Sequence, residues 1–419
     1  MSKINWQSSS LAVVTETMFS GGTPNTSEPT FWNGKYNWLS SGETRNNFIF
    51  STEKTITDVG VKKSSTRLAS KNDIVMASAG QGKTRGQTSI LMIDTYINQS
   101  IIAIRTNKKM YYKFLFYFLK SQYDELRVSS DGSSIRGSIT TKDLKNFVIN
   151  YPLYNEQIKI ANILSEYDNL IENNNRRIAI LEEMAQRLYR EWFVHFRFPG
   201  HESVKMVESE LGLIPDGWSV STIGELYRTS SGGTPSRKNL SFFEDGIYDW
   251  IKTGELNDCY IINTGEKISE EAIKKSSAKK LSTNLVIMAM YGATIGKLGI
   301  TTKECACNQA CCVFLPKTDF YNGNYLYQYL LSNREVFINL GHGAAQQNLS
   351  QDVIKEFKIL KPCVQDILLF IQYVDSVREG IKTLTIKNTN LRKTRDLLLP
   401  PLICGDIDVS DLPIKTEED

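Results

Sequence analysis

The chain has 419 residues, 41% of them hydrophobic, so it is long enough to bury more than one core. Its formal net charge of +3 neither indicates nor excludes a polyanionic partner, because a basic face can be balanced by acidic residues elsewhere. No apolar run of about eighteen residues and no secretory leader pattern is visible, so we expect a cytoplasmic protein without a membrane segment.

The first segment, residues 1–150, predicts an α/β domain. It carries the turn Gly21-Gly22-Thr23-Pro24 and the apolar run Ile74–Ala77, which is followed by a glycine-containing loop. Asn98-Gln99 precedes another apolar run, and Phe114–Leu119 is typical of a helix with a wide aromatic face.

A long helix is predicted next, within residues 151–198. Apolar residues recur at spacings of three and four, the pattern of a coiled-coil seam with one Asn inside it. Pro152 stands just ahead of the helix and Pro199-Gly200 closes it. The predicted seam is Ile160, Leu164, Tyr167, Ile171, Asn174, Ile178, Leu181 and Leu188.

Residues 199–360 repeat the first segment at a displacement of roughly 210 residues. Gly232-Gly233-Thr234-Pro235 repeats the first turn, Val286–Ala289 the first apolar run, and Tyr325–Leu330 the aromatic helix. Identities at fixed spacing also link Phe31, Gly34, Tyr36, Trp38, Gly42 and Glu43 to Phe243, Gly246, Tyr248, Trp250, Gly254 and Glu255. The chain therefore holds two copies of one α/β domain.

A second long helix is predicted within residues 361–405, after Pro362 and ended by Pro400-Pro401, and an acidic tail follows at 406–419. Its predicted seam is Phe370, Val374, Val377, Ile381, Leu384, Asn388, Leu391 and Leu398. We expect the two helices to pair as an antiparallel coiled coil, which separates two similar domains related by a pseudo-two-fold axis.

Such pseudo-symmetry matches a bipartite site on double-stranded DNA, and the paired helices would set the spacing between its halves. Irregular segments of both copies carry Arg, Lys, Gln and Asn side chains that can contact phosphates and bases, and glycine turns whose amides can approach phosphates. The candidate DNA-binding residues are Gly21, Gly22, Thr23, Pro24, Gln81, Lys83, Arg85, Arg136, Gly232, Gly233, Thr234, Pro235, Arg237, Lys252, Thr294, Lys297, Gln346, Gln347 and Asn348.

Three sequence motifs resemble those of a known family: Tyr151-Pro-Leu-Tyr-Asn-Glu-Gln157, Ile214-Pro-Asp-Gly-Trp218 and Arg395-Asp-Leu-Leu-Leu-Pro-Pro-Leu-Ile403. With the repeated Gly-Gly-Thr-Pro, they resemble the specificity subunits of type I restriction-modification systems over essentially the whole chain. The resemblance implies two target recognition domains, with helices that also bind two methyltransferase subunits, onto which restriction and translocase subunits dock. S-adenosylmethionine and ATP with Mg²⁺ would bind those partners, and this chain would hold no cofactor.

Several local patterns have a second interpretation. Ala79–Thr84 looks like a nucleotide-binding loop, but its spacing fails, and a glycine loop between strands fits better. Cys305, Cys307, Cys311 and Cys312 suggest zinc, yet the aligned residues of the first copy are mostly Ile, which favours strand packing and no metal. Trp38 and Trp250 could stack on bases but fit a core position better.

Three other functions stay open. An enzyme with built-in specificity is disfavoured, because no Asn-Pro-Pro-aromatic motif and no Pro-Asp with a downstream Glu-x-Lys occurs. The remaining two are the specificity subunit of a methyltransferase-only or fused restriction system, and a coiled-coil scaffold whose arms bind proteins.

Overall fold

The computed structural model describes residues 5–80, 82–131, 137–342 and 348–414. The chain forms two compact units. The first unit contains Met1–Glu172 and Asn390–Asp419, and the second contains Asn173–Thr389. Within the described ranges, no helix has the length and apolar character needed to cross a lipid bilayer.

The first unit begins with a mixed set of short strands and helices. Its strands are β1 Gln7–Ser10, β2 Thr15–Ser20, β3 Trp32–Leu39, β4 Phe48–Ile49, β5 Lys54–Ile56, β6 Arg67–Ala69, β7 Ile74–Ala77, β8 Thr88–Leu91, β9 Thr95–Ile97, β10 Ile101–Thr106 and β11 Val148–Tyr151. Its helices are α1 Leu11–Val14, α2 Asp58–Lys62, α3 Tyr112–Ser121, α4 Tyr123–Asp131, α5 Thr141–Asn146 and the start of α6, Tyr154–Phe193.

The second unit follows the same plan. Its strands are β12 Met206–Ser209, β13 Gly212–Pro215, β14 Ser219–Thr222, β15 Tyr227–Ser231, β16 Tyr248–Ile251, β17 Cys259–Ile261, β18 Lys267–Ile268, β19 Val286–Ala289, β20 Leu298–Thr301, β21 Cys305–Cys307, β22 Cys311–Pro316 and β23 Lys358–Lys361. Its helices are α7 Ile223–Leu226, α8 Glu270–Lys275, α9 Gly323–Ser332, α10 Arg334–His342, α11 Gln351–Glu356 and most of α12, Val364–Cys404.

The sheets of the two units have matching topologies. The five-stranded sheet runs β2-β10-β7-β8-β4 in the first unit and β15-β22-β19-β20-β17 in the second. A smaller sheet is β5-β3-β9-β6 in the first and β18-β16-β21 in the second. Because equivalent strands occupy equivalent positions, the prediction of one duplicated α/β domain is confirmed.

An aromatic helix closes the core of each unit. The side chains Phe114–Leu119 of α3 and Tyr325–Leu330 of α9 are all buried, as their sequence pattern predicts. In the first unit α3 shares a core with Ile74, Met76, Ile102 and Ile104 of the sheet. In the second unit α9 shares a core with Val286, Met288 and Phe314. The same two apolar clusters also contain residues of the long helices.

The two long helices pack against each other, and the pairing is antiparallel. In the first unit, the beginning of α6, at Ile160, Ala161 and Leu164, belongs to one apolar cluster with Leu399, Leu402 and Ile403 at the end of α12. In the second unit, the end of α6 contributes Trp192, whose ring centroid lies 5.8 Å from that of Phe370 near the beginning of α12. The predicted coiled coil is therefore confirmed.

Most of the predicted seam lies on the packed faces of these helices. The buried members are Ile160, Leu164, Ile171, Asn174, Phe370, Val374, Ile381, Leu384 and Asn388. The partly buried members are Tyr167, Ile178, Leu181, Leu188, Val377, Leu391 and Leu398.

The predicted role of one proline pair is wrong, although α12 lies within the predicted range 361–405. Pro400 and Pro401 do not end the second helix, because α12 continues through both of them to Cys404. Each proline removes one backbone donor from the last turns, but Leu399, Leu402 and Ile403 are buried in the core of the first unit. Their burial holds the final turn helical despite the lost hydrogen bonds.

The beginning of the C-terminal tail also packs on the first unit. Val409 is buried in the same apolar cluster, and the Lys159 ammonium donates a hydrogen bond to the carbonyl oxygen of Ser410 at 2.8 Å. The tail residues 415–419 lie outside the described ranges.

Candidate nucleic-acid interface

Three irregular segments of the first unit meet at one end of the strands of its five-stranded sheet, where β2 and β7 end and β10 begins. Strand β2 ends at Ser20, which pairs with Ile102 near the start of β10. Strand β7 ends at Ala77, which pairs with Ile101, and the amide of Ser78 donates to the carbonyl of Ser100 at 2.8 Å. Residues 21–24, 78–80, 82–87 and 98–100 therefore lie side by side, and we call them the first loop edge.

The Gly-Gly-Thr-Pro turn is fixed to this edge by hydrogen bonds. The amide of Gly22 donates to the carbonyl of Ile97 at 3.0 Å, and the Trp38 indole donates back to the Gly22 carbonyl at 3.3 Å. A Cβ atom at Gly21 would overlap with the Ile97 carbonyl oxygen, so only glycine permits this approach. The hydroxyl of Thr23 donates to the side-chain oxygen of Gln99.

The second unit builds the same edge from residues 232–235, 290–297 and 308–310, the second loop edge. Ser231 at the end of β15 pairs with Cys312, and Ala289 at the end of β19 pairs with Cys311. The amide of Met290 donates to the carbonyl of Ala310 at 2.9 Å.

Equivalent bonds hold the second turn. The Gly233 amide donates to the Cys307 carbonyl at 2.9 Å, and the Trp250 indole donates to the Gly233 carbonyl at 3.1 Å. The hydroxyl of Thr234 donates to the side-chain oxygen of Gln309. Because Trp38 and Trp250 are 4% and 2% exposed, they occupy core positions, as we expected.

Gln99 and Gln309 are exposed residues at equivalent points of the two edges. Sequence comparison within the chain shows their equivalence, but it does not indicate that a threonine of the distant turn orients each amide. With the oxygen occupied by the threonine hydroxyl, the amide nitrogen is the group available for further hydrogen bonds. These two residues are therefore additional candidates for DNA contact.

The loop between β7 and β8 is braced by helix α4. The Arg127 guanidinium donates to the carbonyls of Gly82 at 2.7 Å and Arg85 at 2.9 Å. The Tyr123 hydroxyl donates to the Lys83 carbonyl at 2.7 Å. The Lys83 side chain is exposed, so the bracing presents it towards solvent.

Arg85 has an internal partner. Its side chain is buried and donates to Asp131 at 2.6 Å and to the Gly137 carbonyl. The corresponding residue of the second unit is Ile295, which packs next to Gly341. Arg85 thus stabilises the loop within the first unit, and its role in DNA contact stays a prediction.

In the second unit an arginine of helix α10 braces the loop between β19 and β20. Arg334 donates to the Gly296 carbonyl at 3.0 Å and forms an ion pair with Asp258. Lys297, a predicted DNA contact, also pairs with Asp258 at 2.9 Å. The hydroxyl of Thr294 donates to the Tyr291 carbonyl at 3.1 Å.

Arg237 and Lys252 share one carboxylate. Glu266 pairs with Lys252 at 2.7 Å and with Arg237 at 2.6 Å, and these interactions, led by the hydrogen bond from Lys252, lower the pKa of Glu266. The Arg237 guanidinium also lies over the rings of Phe243 and Trp250, at 4.5 Å and 5.3 Å from their centroids. Both cations are thereby held close to the second Gly-Gly-Thr-Pro turn.

Four other predicted contacts, Gln81, Arg136, Gln346 and Gln347, lie outside the described residues. Residues that follow two of these undescribed segments reach the loop edges, because the Ile139 amide donates to the Ser78 carbonyl and the Leu349 amide to the Met290 carbonyl. Asn348 is exposed and forms a β-bridge with Tyr291.

The cysteine cluster of the second unit lies in strands. Cys305, Cys307, Cys311 and Cys312 are buried, and burial raises the pKa of the Cys305 thiol to about 12. Among the described residues, no group of three or more His, Cys, Asp or Glu side chains could hold a metal ion. These cysteines pack in the core of the sheet.

Polar and charged residues of the long helices form contacts that periodicity did not indicate. Asp168 accepts hydrogen bonds from the Tyr117 hydroxyl at 2.7 Å and the Asn47 amide at 3.0 Å, and it pairs with Arg395. Gln157, in the motif at the beginning of α6, is fully buried, and its side-chain amide donates to the carbonyls of Lys109 and Pro152 at 3.0 Å. In the sequence, Asp168 is visible only as an acidic residue next to the apolar stripe of the first long helix, and this position does not indicate its partners.

Comparison with known proteins agrees with this duplication. The family model described as the type I restriction modification DNA specificity domain matches residues 3–183 and again residues 215–388. The type I restriction enzyme MjaIX specificity subunit of Methanocaldococcus jannaschii is 26% identical over 404 residues, covering 94% of this chain and 91% of that protein. The HindI specificity subunit of Haemophilus influenzae is 24% identical, covering 80% of this chain and 87% of its own length.

The fold also resembles a solved structure. The crystal structure of the S subunit of a type I restriction-modification system from M. genitalium superposes with a TM-score of 0.59 at 18% sequence identity. The match covers 96% of each chain. At this identity the similarity concerns the fold.

Proposed function

Because the chain belongs to the family of type I restriction modification DNA specificity proteins, we propose that each of its two domains reads one half of a bipartite site in double-stranded DNA. One observation carries the proposal: the same loop edge, with a Thr–Gln hydrogen bond at its centre, is built once in each unit. Two equivalent surfaces with different neighbouring side chains suit two different half-sites.

The two loop edges differ in their side chains, and this difference supports unequal half-sites. The first carries the exposed Lys83 in a loop that also contains Gln81, whereas the second carries Thr294 and Lys297 in a shorter loop. Lysine contacts to phosphates set the position on the duplex, and amide side chains distinguish bases in the major groove.

The remaining parts of the chain take supporting roles in this proposal. Residues 1–150 and 199–360 are the two target recognition domains, 151–198 and 361–405 are the helical spacers, and 406–419 is an acidic tail. The spacers fix the separation of the half-sites and dock two methyltransferase subunits, and restriction and translocase subunits join that assembly. The relatives are named as specificity subunits of restriction enzymes, which supports such an assembly.

We assign no catalytic step to this chain. S-adenosylmethionine would bind the methyltransferase partners and ATP with Mg²⁺ the translocase partners, so the chain itself would need no cofactor. An assay of methyl transfer by the isolated chain tests this assignment. Methyl transfer to DNA without any partner subunit would contradict it.

The central experiment is a binding selection from random duplex DNA by the chain assembled with its methyltransferase subunits. We expect enrichment of one interrupted sequence with two fixed halves. Exchange of residues 1–150 for another recognition domain should then change one half and leave the other unchanged. Failure to enrich any interrupted sequence would favour the coiled-coil scaffold instead.

The spacing role has a separate test. Insertion of one heptad into each long helix lengthens a helix by about 10 Å, which corresponds to roughly three base pairs of duplex. The selected sequence should show that longer gap between its halves. A gap of unchanged length would contradict the role of the helices in spacing.

A further inference from the structure

A short polar motif is repeated beside the Gly-Gly-Thr-Pro turns of the two units. The segment Lys62–Arg67 reads Lys-Lys-Ser-Ser-Thr-Arg, and the segment Lys274–Lys279 reads Lys-Lys-Ser-Ser-Ala-Lys. The first four residues are identical, and the last is a cation in both copies. Both copies therefore retain a serine two residues ahead of a positive charge. We call these residues the Ser–cation pairs: Ser65 with Arg67, and Ser277 with Lys279.

The serine of each pair lies against the glycine turn of its unit. The serine just before it accepts a hydrogen bond from the amide two residues ahead, at 3.4 Å in the first unit and 3.1 Å in the second, which turns the chain. A Cβ atom at Gly22 would overlap with the Ser65 hydroxyl, and one at Gly233 would overlap with the Ser277 hydroxyl. Ser65 and Ser277 are nevertheless exposed, so each hydroxyl is accessible beside its turn.

The cation of each pair is held beside the strand that leads into the turn. The Arg67 guanidinium lies over the ring of Phe19, 4.1 Å from its centroid, and the Lys279 ammonium donates to the Ser230 hydroxyl at 3.1 Å. Phe19 and Ser230 are equivalent, since each stands two residues before the first glycine of its turn. Both cations are exposed. Stacking leaves the N–H groups at the edge of the guanidinium plane available, and the ammonium keeps two of its three donors.

The charges of Arg67 and Lys279 are not balanced by the protein. Neither side chain has a carboxylate within 4.0 Å among the residues that the structure describes. A phosphate contact by a cation that already has a carboxylate partner requires that ion pair to be broken, whereas an unpaired cation simply releases counterions from the DNA. The predicted DNA contacts that are paired in this way are Arg85, Arg237, Lys252 and Lys297.

On the basis of the proposed DNA reading, we propose that each Ser–cation pair binds one backbone phosphate of the half-site read by its unit. Phosphates are the same along a duplex, whereas the bases of two half-sites differ. A phosphate-binding group can therefore stay the same in both units while base-reading side chains diverge. The pairs fit this distinction, because the hydroxyl and the charge are retained while arginine in one unit is replaced by lysine, which lacks the bidentate fork, in the other.

The turn amides do not compete for the same phosphate. The amides of Gly22 and Gly233 donate to the carbonyls of Ile97 and Cys307. The turns thereby support the serine hydroxyls, and the exposed side chains beside the turns supply the donors.

The test measures the affinity of the assembled complex for its selected duplex at a series of sodium chloride concentrations. The slope of log K against log salt concentration decreases in magnitude by about 0.9 for each phosphate contact that is lost. We expect Arg67→Gln and Lys279→Gln each to lower the slope by about that amount, and the double variant to lower it by about twice as much. An unchanged slope in either single variant would overturn the proposal for that unit.

Matched variants show whether the position and the charge matter. Lys108 and Lys317 are exposed cations just beyond the ends of β10 and β22 that lie opposite the loop edges. Lys108→Gln and Lys317→Gln should leave the slope unchanged, and a decrease equal to that of Arg67→Gln would overturn the assignment of a specific contact. Arg67→Lys keeps the charge and should keep the slope. A lowered slope in Arg67→Lys would indicate that Arg67 acts only by packing on Phe19 and would overturn its phosphate contact.

Selection from random duplex DNA separates phosphate contact from base reading. The Arg67→Gln assembly should select the same interrupted sequence as the unchanged assembly, because a phosphate carries no sequence information. A changed base preference in one half would overturn the assignment to phosphate. If the unchanged assembly selects no interrupted sequence, the proposed function fails and this inference fails with it. If it selects one and both glutamine variants keep its salt slope, only the phosphate assignment fails.

Discussion

Asp168 of helix α6 and Arg395 of helix α12 form an ion pair inside the first unit. Their side chains are 2% and 8% exposed. Arg395 also pairs with Asp396 at 2.7 Å, and Asp168 accepts the Tyr117 hydroxyl of the aromatic helix α3. The pair therefore joins both long helices to the core of the first recognition domain.

Removal of one partner of this ion pair should lower the stability of the first unit. Arg395→Leu leaves the Asp168 carboxylate buried without its cation, and we expect a loss of about 3–5 kcal/mol in the free energy of unfolding. Urea denaturation followed by circular dichroism measures it. The double variant Asp168→Asn with Arg395→Leu should lose less, because it leaves no buried charge and the amide oxygen still accepts one of the two hydrogen bonds from Tyr117 and Asn47. Equal losses in the single and double variants would show that the buried charge is unimportant.

Lys120 should make the stability of the first unit depend on pH. Burial, with a smaller contribution from Arg395, lowers the pKa of Lys120 to about 8, whereas in an unfolded chain it is about 10.4. The folded state therefore binds fewer protons than the unfolded state between these values, so this group's contribution to stability rises as pH increases through that window.

Lys120→Met removes that titration. The variant should be more stable than the unchanged chain below pH 8, and its advantage should shrink by about 2 kcal/mol as pH rises to about 10.4. Denaturant titrations at several pH values measure the difference. The exposed Lys142→Met is the control and should show a flat difference. A flat difference for Lys120→Met would contradict the burial of its charge.

Asn388 should fix the register of the helices in the second unit. Its side-chain oxygen accepts from Asn174 and its amide donates to Asn175, both at 2.9 Å. Asn388→Leu leaves the buried Asn174 amide unpaired and should cost about 1–3 kcal/mol, measured by urea denaturation. Leucine at both 174 and 388 should restore most of that stability but no longer impose one register. The exposed Asn390→Leu is the matched control.

Gln99 and Gln309 should each affect one half of the DNA site. Gln99→Ala removes an amide oriented by Thr23, and Gln309→Ala removes the one oriented by Thr234. With the assembled complex, we expect each variant to relax discrimination in one half-site, by about 1–3 kcal/mol per base pair contacted. Each variant is the control for the other. Relaxation of both halves by either variant would indicate a general loss of structure.

Local pattern was sufficient to predict much of the architecture. The Gly-Gly-Thr-Pro turns, the apolar runs such as Ile74–Ala77 and the aromatic helices recur at one displacement, and each is a property of a few adjacent residues. Helical spacing likewise predicted the buried faces around Ile160 and Phe370, because burial follows the period of the helix. The helix-ending role assigned to Pro400 and Pro401 was wrong, since the packing of Leu402 there outweighs the local effect of the two prolines.

The chain's sequence by itself determined the duplication, the elements and the apolar faces, because these depend on residues close together in the chain. The tertiary structure decided the rest: the bond between Thr23 and Gln99, the ion pair of Asp168 with Arg395, and the position of Arg67 over Phe19. The free energy of a polar or charged side chain depends on which distant groups surround it, and only the folded chain brings those groups together.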